Sequence, residues 1–215
     1  MMRWLTDDST GAVKLLQQAL GMYRNLGDRH GEANALWDLG QVRWLKGDNA
    51  KAADLAMQAL DVYRTLGNHH GKANALRDLG AVRRVTGDVT GAAELAEQTL
   101  DVYHTLGNHH GEANALRSLG QVRRLEGDYV AAAELAELAL GMYRTLGNHH
   151  GEASTLRELG VVRRLEGNYA RAAQLAEQAI GMYRTLGNRQ GEASTLHDLG
   201  VVRTKGRSYC QTLWI

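Results

Sequence analysis

The stretch that decides the fold is residues 71–110, GKANALRDLGAVRRVTGDVTGAAELAEQTLDVYHTLGNHH, followed at once by residues 111–150, GEANALRSLGQVRRLEGDYVAAAELAELALGMYRTLGNHH. These two 40-residue blocks are identical at 27 positions. Blocks that start at Gly31 and Gly151 follow the same pattern, and a partial block starts at Gly191. A fixed period of about 20–50 residues is typical of solenoids, whose repeats bury their apolar faces by stacking on one another. The sequence therefore predicts a repeat protein, for which binding is expected rather than catalysis.

Each period predicts two helices, which we call helix A and helix B. In the period from Gly71, Gly87 can supply the left-handed conformation in which helices often end, and Asp88 can cap the next helix. Gly107 ends that second helix, and Asn108 can cap the helix that follows. Apolar residues at helical spacing predict one buried face for each helix. They are Ala73, Leu76, Leu79, Gly80 and Val82 in helix A, and Ala92, Ala93, Leu95, Ala96, Leu100 and Tyr103 in helix B.

Small residues recur where the two helices of a pair are expected to cross. Close approach of two helices needs small side chains at the contact, so these residues indicate packing rather than chemistry. The predicted pairs are Gly80 with Ala92, Gly120 with Ala132, and Gly160 with Ala172.

The composition argues against several classes of function. The formal net charge is +1 and the pI is about 8.0, so we expect no direct binding of nucleic acid. No apolar run is as long as a membrane span, and the start, MMRWLTDDSTG, does not resemble a signal peptide. The single cysteine, Cys210, favours a reducing compartment, and we expect a cytoplasmic protein. No phosphate-binding loop, nucleophile elbow or isolated carboxylate pair is present, so we expect no enzyme activity and no cofactor.

The pattern Leu119-Gly120, Gly127-Asp128 and Ala132-Ala133 resembles the tetratricopeptide repeat, in the 40-residue variety found in scaffold proteins that bind extended peptides. The sequence pattern GEANALxxLGxVRRLxGDY also resembles repeat arrays of actinobacterial transcriptional regulators. The resemblance implies an all-α fold, an α-solenoid in which antiparallel helix pairs stack into a right-handed superhelix.

The phase of the repeat predicts a single array over residues 1–206 and an irregular tail over residues 207–215. Met1 falls inside a helix A, and the first intact helix is expected from about Ser9 to Leu26. The last helix A is expected from about Glu192 to Thr204. The array consists of a partial repeat 1–30, repeats 31–70, 71–110, 111–150 and 151–190, and a partial repeat 191–206.

The two ends of the array lack the polar capping elements that solenoids usually need, so we expect apolar faces to be exposed there. Two interpretations are open. The chain is a fragment or remnant of a longer regulator, or its ends pair between chains as a homodimer or filament. Trp4, Leu213, Trp214 and Ile215 are accordingly either ragged ends or dimer anchors.

The resemblance also implies that helix A lines a concave groove and that ligands contact its exposed positions. Because stacked helices lie about 8–10 Å apart, arginines repeated every 40 residues are expected to form ladders. Arginine forks hold carboxylates well, so we expect an acidic, extended peptide or a partner domain, with Trp37 and Trp44 as an aromatic anchor. The candidate binding residues are Trp37, Trp44, Asn74, Arg77, Arg84, Asn114, Arg117, Gln121, Arg124, Arg157 and Arg164.

An alternative interpretation of these arginines is structural. They would then pair with Asp78, Glu126, Glu158 and Glu166 on a solvated face, where ion pairs contribute little. A separate set, Arg83, Arg123 and Arg163, is expected to place its charged heads on helix B carboxylates such as Glu97 or Glu137.

Histidine pairs recur in the loops between repeats. A zinc site needs three or four ligands that converge on one ion, and adjacent histidines rarely do so. We therefore expect no metal site, with incidental capture of nickel or zinc as the alternative. The pairs are His69-His70, His109-His110 and His149-His150.

These observations predict a non-catalytic scaffold that binds a peptide or partner domain along helix A. The alternative is a sensor or autoinhibitory module of a multidomain transcriptional regulator. An enzyme accessory subunit is a third and weaker interpretation.

Overall fold

The computed structural model describes the backbone of residues 4–212 and the side chains of residues 11–206. Over that range the chain folds entirely into helices, which confirms the all-α prediction. The helices are α1 (Trp4–Leu26), α2 (Arg29–Leu45), α3 (Asn49–Thr65), α4 (His69–Thr86), α5 (Val89–Thr105), α6 (His109–Glu126), α7 (Tyr129–Thr145), α8 (His149–Leu165), α9 (Tyr169–Thr185) and α10 (Arg189–Thr212). Even-numbered helices are helices A, and odd-numbered helices are helices B.

The chain divides into two compact units. Unit 1 is Met1–Gly107 and contains α1 to α5, and unit 2 is Asn108–Ile215 and contains α6 to α10. Within each unit, every helix packs on the next one along the chain. Helices A also contact each other, α2 with α4 in unit 1, and α8 with both α6 and α10 in unit 2. Each unit is therefore a stack of antiparallel helix pairs, as the repeat predicts.

Glycines with positive φ end the helices at the expected places. Gly87 has φ 89°, and Gly107 has φ 62°, whereas no described residue other than glycine has a positive φ. The capping predictions are also confirmed, because the side chains of Asp88 and Asn108 accept hydrogen bonds from the backbone N–H three residues later, both at 2.9 Å. Asn168 caps α9 in the same way at 3.1 Å. These turns fix where each helix begins and ends.

The first and last helices are longer than expected. α1 begins at Trp4 rather than near Ser9, and α10 continues to Thr212 rather than ending near Thr204. The cause is in the sequence, because Asp7 and Arg207 occupy the positions where the other repeats have the glycine that ends helix A. Without that glycine the helix continues. Leu213, Trp214, Ile215 and the side chains of Trp4 and Cys210 lie outside the described residues.

A tyrosine near the end of helix B packs on a glycine near the start of the next helix A. A Cβ atom placed on Gly151 would lie 2.5 Å from Cδ1 of Tyr143, and one on Gly191 would lie 2.5 Å from Cδ1 of Tyr183. The same contact occurs twice in unit 1, where Tyr23 packs on Gly31 and Tyr63 on Gly71. Real Cβ atoms do not approach a ring this closely, so glycine is required at these positions.

The predicted crossing of helix A and helix B is confirmed. A Cβ atom on Gly120 would lie 3.2 Å from the carbonyl oxygen of Ala132, and one on Gly160 would lie 3.3 Å from that of Ala172. In unit 1, a Cβ atom on Gly80 would lie 3.8 Å from the carbonyl oxygen of Ala92. The two helices of a pair therefore approach backbone to backbone.

Substitution of Gly120 by leucine is expected to lower the free energy of unfolding by roughly 1–3 kcal/mol, because the side chain overpacks the crossing with α7. Gly141→Leu is the matched control, since a Cβ atom on Gly141 would meet nothing within 4 Å. Urea denaturation followed by circular dichroism measures both. Equal losses in the two variants would show that the crossing does not need glycine.

Candidate functional site

The face of helix A that was predicted to bind ligand is built partly on hydrogen bonds within each helix pair. The hydroxyl of Tyr103 donates to Oδ1 of Asn74 at 2.9 Å, and that of Tyr143 donates to Oδ1 of Asn114 at 2.7 Å. Tyr183 makes the equivalent bond to Oγ of Ser154 at 3.0 Å. The candidate binding residues Asn74 and Asn114 thus orient the helices of their own pair. A constant spacing of 29 residues separates the two partners of each hydrogen bond. This spacing was the signal in the sequence for the hydrogen bonds, and they were not predicted from it.

Burial modifies the tyrosine of this hydrogen bond in unit 2. The pKa of Tyr143 is raised above its ordinary value, mainly because the hydroxyl is removed from water. The nearby guanidinium of Arg117 acts in the opposite direction, and the carboxylate of Glu158 adds to the increase. Tyr143 therefore remains a neutral hydrogen-bond donor at physiological pH.

The two candidate tryptophans lie on α2 of unit 1 and line one cavity. Trp37 and Trp44 are half-buried and seven residues apart, so they share a helix face. The indole of Trp37 donates to Oδ2 of Asp78 on α4 at 2.7 Å, and the amide of Gln41 donates to the same carboxylate. The cavity is lined by Trp37, Gly40, Gln41, Trp44, Ala52, Ala56, Asp78, Ala81 and Val82.

The first row of candidate arginines consists of Arg77, Arg117 and Arg157, and all three are engaged in ion pairs. In unit 1, Arg77 pairs with Asp78 of its own helix at 2.9 Å. In unit 2, Arg117 pairs with Glu158 of the next helix A at 2.8 Å, and Arg157 pairs with Asp198 at 2.6 Å. These contacts agree with the alternative interpretation in which the row is structural.

Arg117 interacts with Glu158 and also lies near the hydroxyl of Tyr143. Burial tends to lower its pKa, but the carboxylate of Glu158 and the hydroxyl of Tyr143 outweigh burial and raise the pKa above its ordinary value. The amide of Gln121, another candidate residue, donates to the same carboxylate of Glu158. Arg117 and Gln121 therefore both donate to Oε1 of Glu158, and these hydrogen bonds join α6 to α8.

The second row of candidate arginines consists of Arg84, Arg124 and Arg164, and it differs between the units. Arg124 on α6 and Arg164 on α8 are half-buried, and neither side chain makes a hydrogen bond or an ion pair with any described residue. At the matching position of unit 1, Arg84 does take part in an interaction. Two successive helices A of unit 2 therefore each carry a positive charge that no side chain of residues 11–206 compensates.

Arg163 follows the predicted role in part. Its guanidinium contacts Glu137 of a helix B at 2.8 Å, as expected, and also Glu166 at 3.0 Å. The helix B is α7, which precedes Arg163 by one repeat, rather than the helix B of its own pair. Arg203 repeats this geometry with Glu177 of α9 at 2.8 Å. These pairs join neighbouring repeats within unit 2.

Two kinds of site have no counterpart in the described part of the chain. No group of three or more His, Cys, Asp or Glu residues there could hold a metal ion. Two of the histidines pack on tyrosine rings, since His110 lies edge-on to the ring of Tyr143 and His150 lies edge-on to that of Tyr183. None of the described helices has both the length and the hydropathy of a membrane span.

Replacing Tyr143 by phenylalanine is expected to lower the free energy of unfolding by about 1 kcal/mol, because Oδ1 of Asn114 loses its donor. Tyr23→Phe is the matched control and is expected to be nearly neutral, since the hydroxyl of Tyr23 has no partner among the described residues. Urea denaturation measures both variants. An equal effect in the two would show that the hydrogen bond to Asn114 contributes nothing.

Comparison with solved structures places the fold among repeat proteins. BtubC (BKLC) from P. vanneervenii is 19% identical, with a TM-score of 0.77 over 91% of this chain and 83% of that chain. The apo form of RapI is 15% identical, with a TM-score of 0.80 over 95% of this chain and 57% of that chain. A signal transduction ATPase with a tetratricopeptide repeat sensor, from Pyrococcus horikoshii, is 14% identical, with a TM-score of 0.72 over 81% of this chain and 27% of that chain. At these identities the likeness concerns the fold.

Comparison at the level of sequence is more specific. A search of curated protein sequences gave no match. A family model described as tetratricopeptide repeat matches residues 1–65 and 71–145, and a second model with the same description matches residues 155–190. The matched segments cover more than half of the chain, and they agree with the helix pairs, caps and crossings described above. The chain therefore belongs to the tetratricopeptide repeat family.

Proposed function

We propose that this chain is a non-catalytic protein-interaction scaffold and that unit 2 binds an acidic segment of its partner. The observation that carries the proposal is the contrast between two rows of arginine on helices A. Arg117 and Arg157 are neutralised by carboxylates, whereas no residue in the described part of the chain neutralises Arg124 or Arg164. Guanidinium donors without a described partner are available to a ligand, and a ligand carboxylate would supply a partner for them.

The placement of the two arginines suits a carboxylate ligand. Arg124 and Arg164 are 40 residues apart and occupy equivalent positions on α6 and α8, which contact each other within unit 2. Packed helices lie about 8–10 Å apart, a distance that two long side chains can bridge from either side of one ligand group. Each guanidinium offers a planar fork of donors that matches a carboxylate. An acidic segment lying across α6 and α8 would therefore contact both.

The cavity of unit 1 suits a different part of a partner. Trp37 and Trp44 contribute aromatic lining, and Ala52, Ala56 and Val82 contribute apolar lining. Its one carboxylate, Asp78, already accepts hydrogen bonds from Trp37 and Gln41. Aromatic linings of this kind are frequent sites of strong binding in protein interfaces. We propose that this cavity accepts an apolar side chain.

The double variant Arg124→Ala/Arg164→Ala tests the site in unit 2. Binding of fluorescein-labelled, glutamate-rich peptides, measured by fluorescence polarisation, is expected to weaken at least about tenfold, the equivalent of about 1.4 kcal/mol. The matched control is Arg144→Ala/Arg184→Ala, which removes the same charge from helices B, where these arginines pair with Glu152 and Glu192. Peptides in which glutamine replaces glutamate should bind poorly to the wild-type chain.

Two results would contradict the proposal. One is wild-type protein that binds glutamate-rich and glutamine-rich peptides equally. The other is an equal loss of affinity in the two double variants, which would show that the affinity depends on net charge and not on the position of the arginines.

A second candidate function is a sensor module in a larger regulator. The observation that favours it is the fold likeness to the Pyrococcus horikoshii ATPase, a signal transduction ATPase with a tetratricopeptide repeat sensor, of which this chain matches 27%. An ATPase or DNA-binding domain in the same reading frame, or co-purification with a transcription complex alone, would favour this function over a free scaffold.

A further inference from the structure

An apolar face of α1 is uncovered in unit 1. α1 is a helix B, and within unit 1 it packs on α2 alone. Leu15 is 68% exposed and Met22 is 64% exposed. The equivalent of Leu15 in α9 is Leu175, which is 3% exposed because it packs on Gly160 of the helix A in its own pair. The exposed face of α1 is thus the face that a helix A covers elsewhere.

The matching face of a helix A is uncovered on α10 of unit 2. Ala193, Leu196 and Gly200 lie on one side of the helix at spacings of three and four residues, and all three are exposed, Leu196 by 44%. Their equivalents Ala153, Leu156 and Gly160 are buried by α9. A Cβ atom on Gly200 would meet nothing within 4 Å, whereas one on Gly160 would touch the backbone of Ala172.

We propose that α10 of one copy of this chain packs antiparallel on α1 of a second copy. The two helices are the separate halves of one helix pair, since Gly200 corresponds to Gly160 and Leu15 corresponds to Leu175. Their union would place the side chain of Leu15 over Gly200, in the contact that every complete pair makes within its own unit. The contact is head to tail, because the two surfaces are different, so further copies can add at the free ends.

Charge and helix length support a second copy as the occupant. The sequence at the start of α1 contains Asp7 and Asp8, and the sequence near the end of α10 contains Lys205 and Arg207. An antiparallel pair would bring these oppositely charged ends together. Both helices also continue past the position at which other repeats have a turn between helix A and helix B. A helix pair formed between two chains does not need that turn. The inference is independent of the acidic ligand proposed for unit 2.

Light scattering on Leu15→Glu, Leu196→Glu and their mixture tests the proposal. The average mass of the wild-type protein is expected to rise above the 23.6 kDa of a monomer as its concentration increases. Each variant alone is expected to stay monomeric. An equimolar mixture is expected to form a dimer and no more, because Leu15→Glu keeps an intact α10 and Leu196→Glu keeps an intact α1. The control Leu138→Glu, at an exposed position of α7, should behave as the wild type.

Three outcomes would overturn the proposal. They are a wild-type mass that stays at 23.6 kDa up to about 1 mM, a mixture that remains monomeric, and loss of association in only one of the two variants. The last result would indicate a symmetric contact of α1 with α1 or of α10 with α10. Both substitutions replace exposed residues, so far-ultraviolet circular dichroism is expected to match the wild type.

Discussion

The contact between a tyrosine ring at the end of helix B and a glycine at the start of the next helix A is the constraint on which the other features depend. The ring occupies the space that a Cβ atom would need, as Tyr143 does over Gly151. The backbone N–H of the same glycine is bonded to the cap, because Asn148 accepts from Gly151 at 2.9 Å. One residue thus fixes both the first turn of helix A and its distance from the preceding repeat.

Stacking in a fixed phase determines what the face of helix A can do. Residues 41 positions apart meet on successive helices A, as Arg117 and Glu158 do at 2.8 Å, and Arg157 and Asp198 do at 2.6 Å. Tyrosine hydroxyls bind the asparagines of the same face. Many of the polar residues that were predicted to bind a ligand therefore hold the helices and repeats together. Arg124 and Arg164 stand out because no described residue takes up their charge.

Local features of the fold could be predicted from the sequence because they depend on single residues. Gly87 ends α4 and Asp88 caps α5 through chemistry that acts within one turn of helix. The crossing at Gly120 follows from the same logic, since only small residues allow it. The extra length of α1 and α10 could also have been predicted, because Asp7 and Arg207 replace the glycine that ends helix A in the other repeats. The expected bounds followed the pattern of those other repeats instead.

The candidate site was harder to predict because it depends on contacts between helices. Arg77, Arg117 and Arg124 have the same residue type and recur on the same face. Only the structure shows that Asp78 of the same helix neutralises Arg77 and that Glu158 of the next helix A neutralises Arg117, whereas no described residue neutralises Arg124. The exposure of Leu15 and Leu196 likewise depends on which neighbouring helix covers each face.

A double-mutant cycle on Tyr143 and Gly151 tests the tyrosine–glycine contact most directly. Gly151→Ala is expected to lower the free energy of unfolding by roughly 1–3 kcal/mol in the presence of Tyr143, because the new methyl group collides with the ring. In the Tyr143→Ala background the same change should be neutral or stabilising, since alanine favours helix over glycine by about 1 kcal/mol. The two substitutions should therefore couple strongly. An identical effect of Gly151→Ala in both backgrounds would contradict the role given to this contact.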